Sequence, residues 1–370
     1  MRKIYIFDYI GDHCGMHYYN AAFKELLSKI PNIEIEILSN YSDGGKSPFL
    51  KNFYKPNKIL GVFVLAYDIV KFLFERIRKP RNLFIVLSYG NIIDFLFILS
   101  ACIVSKNTIV DVHEAVAQDS EHKKWFVALY RFLYGKCVKN VIIHSERSRK
   151  FMGDFGYKGK IMYVPHFKYC LTKKYGESNI APDLQNVISA DRKNILFFGN
   201  MTYNKGVDIL VNAYSHLPEE QRSKLNIIIA GKDLDGTIGR TDIPDEGNMH
   251  VILRHINDDE LIMLYGNTDF IALPYRITSQ SGILEMAFYF KKPIIASRIP
   301  YFEFMLEQFP SFGVLTGNSV EEYAATLAEI TDADLNSFYA DKEYDIYSNR
   351  KEMDDFVKEF SNFIKNEQNQ

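Results

Sequence analysis

The residues best suited to chemistry lie between Ser279 and Glu285, in the stretch with the sequence SQSGILE. Small side chains and Gly282 let a ligand approach this backbone closely. A helix that begins near Gly282 has first-turn amides without a partner inside the helix, and these amides and the helix dipole together form a phosphate site. We therefore predict that the backbone around Ser281, Gly282 and Ile283 binds an anion, with the carboxylate of Glu285 close by.

A second stretch with chemical potential is Gly199–Gly206, with the sequence GNMTYNKG. It lies between a predicted strand, Asn194–Phe198, and a predicted helix, Val207–Ser215, so it has the position of a phosphate-binding turn. Lys205 within this turn would supply a fixed positive charge for a diphosphate leaving group. The alternative interpretation of Lys205 is an ordinary surface lysine.

Histidines and glycines near the ends of predicted strands form a third group. His113 lies at the carboxyl end of the buried strand Thr108–Ala115, and ligand sites of parallel sheets collect at such ends. A structural histidine is the alternative. Gly11, Gly15 and His17 lie in the glycine-containing loop after the first predicted strand, where a plain turn is the competing interpretation.

Alternating strands and helices would position these residues. Lys3–Phe7 reads as a strand, Tyr18–Ile30 has helical spacing, and Ile33–Ser39 alternates as a strand does, which is the opening unit of a Rossmann-like domain. The loop inside this unit lacks the Gly-x-Gly-x-x-Gly spacing of a dinucleotide site. Asp269–Pro274 and Pro293–Ser297 are short apolar runs that suit buried parallel strands on either side of the first stretch.

The apolar segment Leu83–Val104 is long enough to resemble a membrane span. The turn Ser88–Asn91 and the charge of Asp94 interrupt it, so we predict a strand, Leu83–Leu87, followed by a helix, Ile92–Val104.

Two further amphipathic helices are predicted in the N-terminal half. The later part of Ile59–Arg78 is rich in Lys and Arg, so this helix would either lie on a membrane surface or pack on the sheet with a wet edge. The other helix is Trp125–Tyr134, and its predicted core face consists of Trp125, Leu129, Phe132 and Leu133.

Length and composition describe a globular α/β protein with two domains. The chain has 370 residues, 47% hydrophobic and 24% charged, which excludes a disordered protein. Basic residues exceed acidic ones by 10 in residues 1–170, whereas acidic residues exceed basic ones by 12 in residues 171–370. The basic half would suit an anionic membrane or a pyrophosphate-linked lipid, and a solvated surface without a partner is the alternative.

Cysteine usage and the first residues indicate a compartment. The four cysteines are scattered without metal-ligand spacing, and the N-terminal residues read as a strand rather than a signal peptide. We expect buried free thiols in a reducing cytoplasm, with a peripheral position on the inner face of the cell membrane as a further possibility. Asp233-Leu-Asp235 is interpreted as loop carboxylates, and we expect neither a metal site nor a nucleic-acid partner.

The layout of strand, turn, helix and strand around Gly282, together with Gly199–Gly206, resembles glycosyltransferase family 4. This family consists of retaining, nucleotide-sugar-dependent enzymes with two Rossmann-like domains facing across a cleft, the GT-B fold. Members often carry two glutamates with seven residues between them. In this chain Ile277 stands at the position of the first glutamate, eight positions before Glu285, so that glutamate is missing. Counting back from Pro293, the second glutamate would be expected at Met286, one place after Glu285.

The resemblance implies roles for individual residues. Lys205 and the helix amides would hold the donor diphosphate, His113 would orient the transferred sugar, and Glu285 would hold ribose or sugar hydroxyls. Gly11 and His17 would lie near the acceptor. The implied donor-binding residues are Gly15, Asn200, Lys205, Gly206, Gly231, Lys232, Ser281, Gly282, Ile283 and Glu285.

The same resemblance implies a domain plan and an activity. Residues 1–170 would bind the acceptor, residues 171–349 would bind the nucleotide sugar, and a helix in 350–370 would cross back to the N-terminal domain. The expected activity is transfer of a sugar from a UDP- or GDP-linked donor, without a cofactor, to a saccharide or polyprenyl-diphosphate-linked acceptor in bacterial surface polysaccharide synthesis. A catalytically silent sugar-nucleotide-binding subunit, or an epimerase or phosphorylase of the same fold, are the alternatives.

Overall fold

A computed structural model describes residues 2–11, 15–42, 47–51, 58–116, 123–166, 180–245, 247–278 and 280–368. Ser279, at the start of the first chemical stretch, lies outside these residues, as does a large part of the predicted interdomain segment 168–193. The chain divides into two compact units. One comprises residues 1–170 and 350–370, and the other comprises residues 171–349.

The first unit contains a six-stranded sheet in which every pair of neighbouring strands is parallel, in the order β2-β1-β3-β4-β5-β6. Its central strands are apolar and buried on both faces, as parallel strands covered by helices must be. The strands are β1 (Arg2–Phe7), β2 (Ile33–Leu38), β3 (Leu83–Ser88), β4 (Thr108–Val112), β5 (Asn140–Ile143) and β6 (Lys160–Tyr163).

Five helices follow these strands in turn, so each crossover is a strand-helix-strand unit. They are α1 (Met16–Ser28), α2 (Lys58–Arg78), α3 (Ile92–Val104), α4 (Lys124–Phe132), which continues as a π-turn over Leu133–Cys137, and α5 (Glu146–Asp154). The strand, turn and helix predicted within Leu83–Val104 are therefore confirmed. Among the described residues, no helix has the length and apolar content needed to cross a membrane.

The predicted core face of α4 is confirmed at Leu133 and wrong at Trp125 and Phe132. Trp125 and Phe132 are exposed, whereas Phe126, Tyr130 and Leu133 are buried. The helix thus turns its largest apolar side chain, the indole of Trp125, away from the unit.

The second unit contains a parallel sheet in the order β12-β11-β10-β7-β8-β9. Read from its own first strand, this is the doubly wound order 3-2-1-4-5-6, whose direction reverses between β7 and β10. The strands are β7 (Lys193–Phe198), β8 (Leu225–Gly231), β9 (Met249–Leu253), β10 (Phe270–Leu273), β11 (Ile294–Ser297) and β12 (Gly313–Thr316). The helices are α6 (Val207–Ser215), α7 (Glu219–Arg222), α8 (Asp258–Asn267), α9 (Gly282–Tyr289), α10 (Pro300–Gln308), α11 (Val320–Ile330) and α12 (Asp341–Ser348).

The last helix, α13 (Lys351–Gln368), belongs to the first unit although it follows the second in sequence. Arg2 donates a hydrogen bond to the carbonyl of Ile364 at 2.7 Å, and Phe356 packs against Phe23 with ring centroids 6.1 Å apart. The two six-stranded parallel sheets with their helices are the α/β class predicted from the sequence.

Candidate active site

The point where the strand order of the second sheet reverses brings the two predicted stretches together. Gly199 follows β7, and the residues that lead into α9 follow β10, the neighbouring strand. A Cβ atom added to Gly199 would lie 3.2 Å from the Cδ1 atom of Ile283, so the turn packs against the first turn of α9. Ligands of open α/β sheets bind outside the carboxyl ends of strands at such a reversal.

The start of α9, which lies at Gly282 as predicted, is capped by Ser281. The Ser281 hydroxyl accepts a hydrogen bond from the Leu284 amide at 3.3 Å, which occupies the third amide of the helix. The amides of Gly282 and Ile283 precede the first intrahelical bond, so the helix itself cannot pair them. Both residues are half-exposed, which leaves the positive end of the helix dipole open to an anion.

Lys205 lies near the carboxyl end of β10, the strand that precedes α9. Its ammonium group is 3.8 Å from the ring centroid of Tyr275, a residue that follows β10. The side chain is half-buried, so part of its charge is still solvated. Cation–π contact with Tyr275 restricts the lysine side chain and directs it toward the carboxyl end of β10.

Arg276, which sequence reasoning missed, fixes the turn that carries Lys205. Its guanidinium donates to both carboxylate oxygens of Asp208, at 2.8 and 2.6 Å, and to the carbonyl of Tyr203 at 2.6 Å. The hydrogen bonds to Asp208 raise the pKa of Arg276. An arginine two residues after Pro274, at the end of a buried strand, was the only available signal, and it does not identify Asp208 as a partner.

Gly206 ends the turn in the left-handed region, with φ at 66°. A Cβ atom added there would lie 1.9 Å from the carbonyl oxygen of Pro274. Substitution of Gly206 by alanine therefore requires both a strained backbone and a backbone displacement, and this displacement moves Lys205.

We expect Gly206→Ala to destabilise the protein by about 1–3 kcal/mol and to weaken nucleotide binding. Thermal unfolding with and without nucleotide measures both effects. Gly266→Ala in α8 is the matched control because no atom lies within 4 Å of its added Cβ and no left-handed φ applies. Equal stability of the two variants would contradict the steric argument.

The predicted pair Gly231 and Lys232 supports the same turn from β8. A Cβ atom on Gly231 would lie 1.9 Å from the carbonyl oxygen of Gly199, and the Lys232 carbonyl accepts from the Met201 amide at 2.7 Å. Asn200 therefore lies between Gly199 and Met201, which both donate backbone hydrogen bonds to residues at the end of β8.

The carboxylates of Asp233 and Asp235 accept hydrogen bonds from their own loop and, for Asp235, also from the turn that carries Lys205. Asp235 accepts from the Tyr203 amide at 2.8 Å and from the Thr237 hydroxyl, and the latter bond is the largest cause that lowers the pKa of Asp235. Asp233 accepts from the Gly239 amide at 3.2 Å. These contacts agree with the interpretation of this segment as loop carboxylates.

Glu285 lies inside the second unit, with no exposed surface. The hydroxyl of Tyr347, on α12, donates a hydrogen bond to its Oε2 atom. The predicted contact of Glu285 with donor hydroxyls stays a prediction, while the observed contact gives this carboxylate a structural role in joining α9 to α12.

In the first unit, the loop after β1 is held by Asp8, another residue that the sequence analysis missed. Its buried carboxylate accepts from the Gly11 amide at 3.0 Å, from Asn20 at 2.7 Å and from the Tyr89 hydroxyl at 2.8 Å. Burial raises the pKa of Asp8. Gly11 has a φ of 54°, so the loop turns sharply at the carboxyl end of the sheet.

Gly15 and His17 lie at the start of α1. Gly15 is the N-cap of this helix, with φ at 73°. The ring of His17 is half-buried and packs against Tyr18 and Tyr41, with centroid distances of 3.9 and 5.8 Å. Gly11 therefore follows β1, and Gly15 and His17 lie at the start of the next helix.

His113 follows β4 and belongs to a buried aromatic cluster. Its ring centroid lies 4.4 Å from Tyr19, 4.9 Å from His144 and 6.1 Å from His166. Burial lowers the pKa of His113 to about 3, so the imidazole is neutral at physiological pH. A neutral imidazole can orient a hydroxyl by hydrogen bonding but carries no charge.

Asp111 and His144 form the charged pair of this cluster. His144 donates from Nε2 to Asp111 at 2.6 Å and from Nδ1 to the Val164 carbonyl at 2.9 Å, and Tyr19 donates to Asp111 at 2.7 Å. Burial acts to raise the pKa of Asp111, but the charge and hydrogen bond of His144 outweigh it, so the pKa lies below its ordinary value. The lowered pKa keeps Asp111 ionised, so it can accept from both His144 and Tyr19.

The same three side chains could in principle hold a metal ion. Asp111, His113 and His144 offer ligand atoms within 4.8 Å of one another, and two histidines with one carboxylate are a common donor set for zinc. In this structure the closest atoms of Asp111 and His144 are engaged with each other. The expectation of a metal-independent site stays a prediction.

The pKa of His113 predicts a pH dependence of stability. Between about pH 6.5 and about pH 3 the unfolded chain binds a proton at this position that the folded chain does not, so the free energy of unfolding falls as the pH is lowered. The contribution is at most about 1.4 kcal/mol per pH unit. Denaturant unfolding across this range should show a shallower decline for His113→Asn, and parallel curves would contradict the assignment. His216→Asn, at an exposed histidine, is the control.

Comparison with known proteins gives one family match. Residues 192–332 match the family described as group 1 glycosyl transferases. No match to a curated protein is found.

Solved structures with the same fold cover nearly the whole chain. Sucrose-phosphate synthase from Thermosynechococcus elongatus has a TM-score of 0.69 at 14% identity and covers 99% of both chains. WaaG, a glycosyltransferase involved in lipopolysaccharide biosynthesis, has a TM-score of 0.65 at 13% identity, over 98% of this chain and 99% of WaaG. HepE from Anabaena, in complex with UDP and glucose, has a TM-score of 0.63 at 17% identity, over 99% of this chain and 100% of HepE. These likenesses show the fold.

Proposed function

We propose that this chain, a GT-B-fold protein that carries a group 1 glycosyltransferase domain over residues 192–332, transfers a sugar from a UDP-linked donor to a saccharide or lipid-linked saccharide acceptor. We further propose that the transfer retains the anomeric configuration and serves surface polysaccharide synthesis in the cytoplasm.

One observation carries the proposal. Lys205, the Gly199 turn and the open amides of α9 lie together at the strand-order reversal of the second sheet. A lysine ammonium and a helix N-terminus are complementary to a diphosphate, whose charge grows as the bond to the sugar breaks. Arg276 holds this turn in place by its hydrogen bonds to Asp208 and to the Tyr203 carbonyl.

UDP is the first choice of nucleotide. Structures of HepE with UDP-glucose and of MnaA from S. aureus with UDP share this fold, at TM-scores of 0.61 and 0.60. The second unit presents the same kind of parallel sheet, with glycines at the ends of β7 and β8 where a ribose or base must approach the backbone.

The first unit would contribute to the sugar and the acceptor. The neutral ring of His113 is suited to a hydrogen bond with a sugar hydroxyl, and it is oriented by its contacts with Tyr19 and Tyr89. Gly11 follows β1 and His17 lies at the start of α1, in the same sheet-and-helix unit as His113, and we propose that both contact the acceptor.

Thermal unfolding with UDP, GDP and their sugar conjugates tests the donor. A nucleotide at one hundred times its Kd should stabilise the folded chain by about 2.7 kcal/mol. We expect stabilisation by UDP and a UDP-sugar, and release of UDP when a saccharide acceptor is added. Stabilisation by GDP but not by UDP would indicate a GDP-linked donor. If neither nucleotide raised the unfolding temperature, the proposal would be overturned.

Burial of Glu285 favours one competing function. With this carboxylate bound to Tyr347, a chain that binds a sugar nucleotide without turnover, as a partner subunit, is the second candidate. This second candidate would be supported if the chain bound the donor but neither hydrolysed it nor transferred its sugar to any acceptor tested. A requirement for free sugar nucleotide alone, or for phosphate, would point instead to an epimerase or a phosphorylase.

A further inference from the structure

Helix α2 buries two charged side chains and exposes a stripe of large apolar ones, which is unusual for a surface helix of a globular protein. Asp68 and Arg76 are buried against the first unit. Asp68 accepts from the Lys51 amide at 3.1 Å, and Arg76 donates to the Asn107 carbonyl at 3.0 Å. These polar anchors and the buried ring of Phe72 fix which side of the helix faces the domain.

The opposite side of α2 is apolar and faces outward. Phe63, Tyr67, Val70, Phe74 and Ile77 recur at intervals of four and three residues, so they form one stripe along the helix. Their exposed fractions run from 49% to 69%. Since the helix has 21 residues, it is about 30 Å long, which makes the stripe far larger than scattered surface side chains require.

The neighbouring helices extend this apolar surface. Buried side chains of α2, α3 and α4 join one core cluster on the same face of the sheet, so their outer sides share one side of the unit. Of the twenty large hydrophobic side chains that are exposed in the described part of the chain, thirteen lie on these three helices. They include Ile103, Trp125 and Phe132.

Charge around this surface has a single sign. Within the described residues of 59–139, every exposed charged side chain is a lysine or an arginine. They include Arg78, Arg81, Lys106, Lys124, Arg131 and Lys136. The carboxylates of the same segment are buried or half-buried, and that of Glu75 pairs with Lys79.

We propose that the outer face of α2, together with those of α3 and α4, docks on an anionic lipid bilayer. A long apolar stripe bordered by exposed cations, with a tryptophan at its edge, is complementary to acyl chains below anionic headgroups. The helix lies on the bilayer rather than across it, because Asp68 and Arg76 hold its other side against the protein. This surface and the proposed donor site consist of different residues, so neither proposal depends on the other.

Binding to vesicles tests the proposal with a built-in probe. Trp125 is the only tryptophan of the chain and is 65% exposed. Vesicles of equal parts phosphatidylglycerol and phosphatidylcholine should bind the wild-type chain in cosedimentation and shift the fluorescence of Trp125 to shorter wavelength. Phosphatidylcholine vesicles should bind it weakly, and about 0.5 M salt should reduce binding to anionic vesicles by screening.

The double variant Phe63→Ser/Phe74→Ser removes two exposed rings of the stripe and should weaken vesicle binding by about tenfold or more. Phe304→Ser is the matched control, since Phe304 is 54% exposed on α10 of the second unit. Both variants should keep the wild-type unfolding temperature. Sugar transfer to a water-soluble acceptor should also be unchanged, which separates failure of this proposal from failure of the proposed function.

Three outcomes would overturn the proposal. The first is vesicle binding by Phe63→Ser/Phe74→Ser equal to that of the wild type, and the second is no vesicle binding by the wild type. The third is a concentration-dependent dimer in sedimentation velocity that this double variant abolishes while vesicles have no effect. That result would assign the face to a second copy of the chain.

Discussion

Replacing Lys205 with alanine is expected to lower kcat/KM for the sugar-nucleotide donor by about 10²- to 10³-fold, which is the cost of losing one preorganised charge at a leaving group. The ammonium group lies above the ring of Tyr275, which follows β10. Since the negative charge of the diphosphate increases as the sugar departs, more of the loss should fall in kcat than in KM. Steady-state kinetics and direct UDP titration separate the two.

The control for Lys205→Ala is Lys224→Ala. Lys224 is an exposed lysine of the same unit that pairs with Asp332 at 3.3 Å, so its removal changes the net charge equally without touching the turn. Lys205→Ala should keep the wild-type unfolding temperature in the absence of nucleotide. Unchanged kcat/KM in Lys205→Ala, or an equal loss in Lys224→Ala, would contradict the role assigned to Lys205.

Local sequence signals were sufficient to predict several strands and helices of both units. The strand and helix predicted for residues 83–87 and 92–104 match β3 and α3 because an apolar run, a turn and the N-cap Asn91 all act within a few residues. The strand before Gly199 and the helix after Gly206 were predictable for the same reason. The strand ending in His113 was predicted to be longer than β4, which ends at Val112.

Contacts between distant residues could not be predicted in this way. Glu285 and Tyr347 are 62 positions apart, and Asp208 and Arg276 are 68 apart, so no periodicity connects either pair. The hydrogen bond between His144 and Asp111 likewise depends on the pairing of β4 with β5.

The orientation of an amphipathic helix is also set by tertiary structure. The spacing of apolar residues in α2 and α4 predicts a stripe but does not say which way it faces. In α4 the assumption that the indole of Trp125 is buried was wrong, and in α2 the buried positions of Asp68 and Arg76 decide the matter. A helix that exposes large apolar side chains is informative because their exposure does not stabilise the folded chain.

Asp111→Ala is expected to be the most destabilising substitution considered, with a loss of about 3–5 kcal/mol in the free energy of unfolding. It removes the acceptor of His144 and of the Tyr19 hydroxyl inside a fully buried cluster, so the remaining polar groups stay desolvated without compensation. Chemical denaturation measures the loss. The stabilisation should be present above the ordinary carboxyl pKa and disappear as the pH falls through the lowered pKa of Asp111.

A surface ion pair of the same unit provides the comparison for Asp111→Ala. Glu359 pairs with Lys160 at 3.3 Å while both side chains are exposed, so Glu359→Ala should cost no more than about 1 kcal/mol. The double variant Asp111→Ala/His144→Ala should lose less than the sum of its single variants, because it removes the buried donor together with its acceptor. Additive losses would show that the two side chains act independently, and would contradict the paired arrangement beside His113.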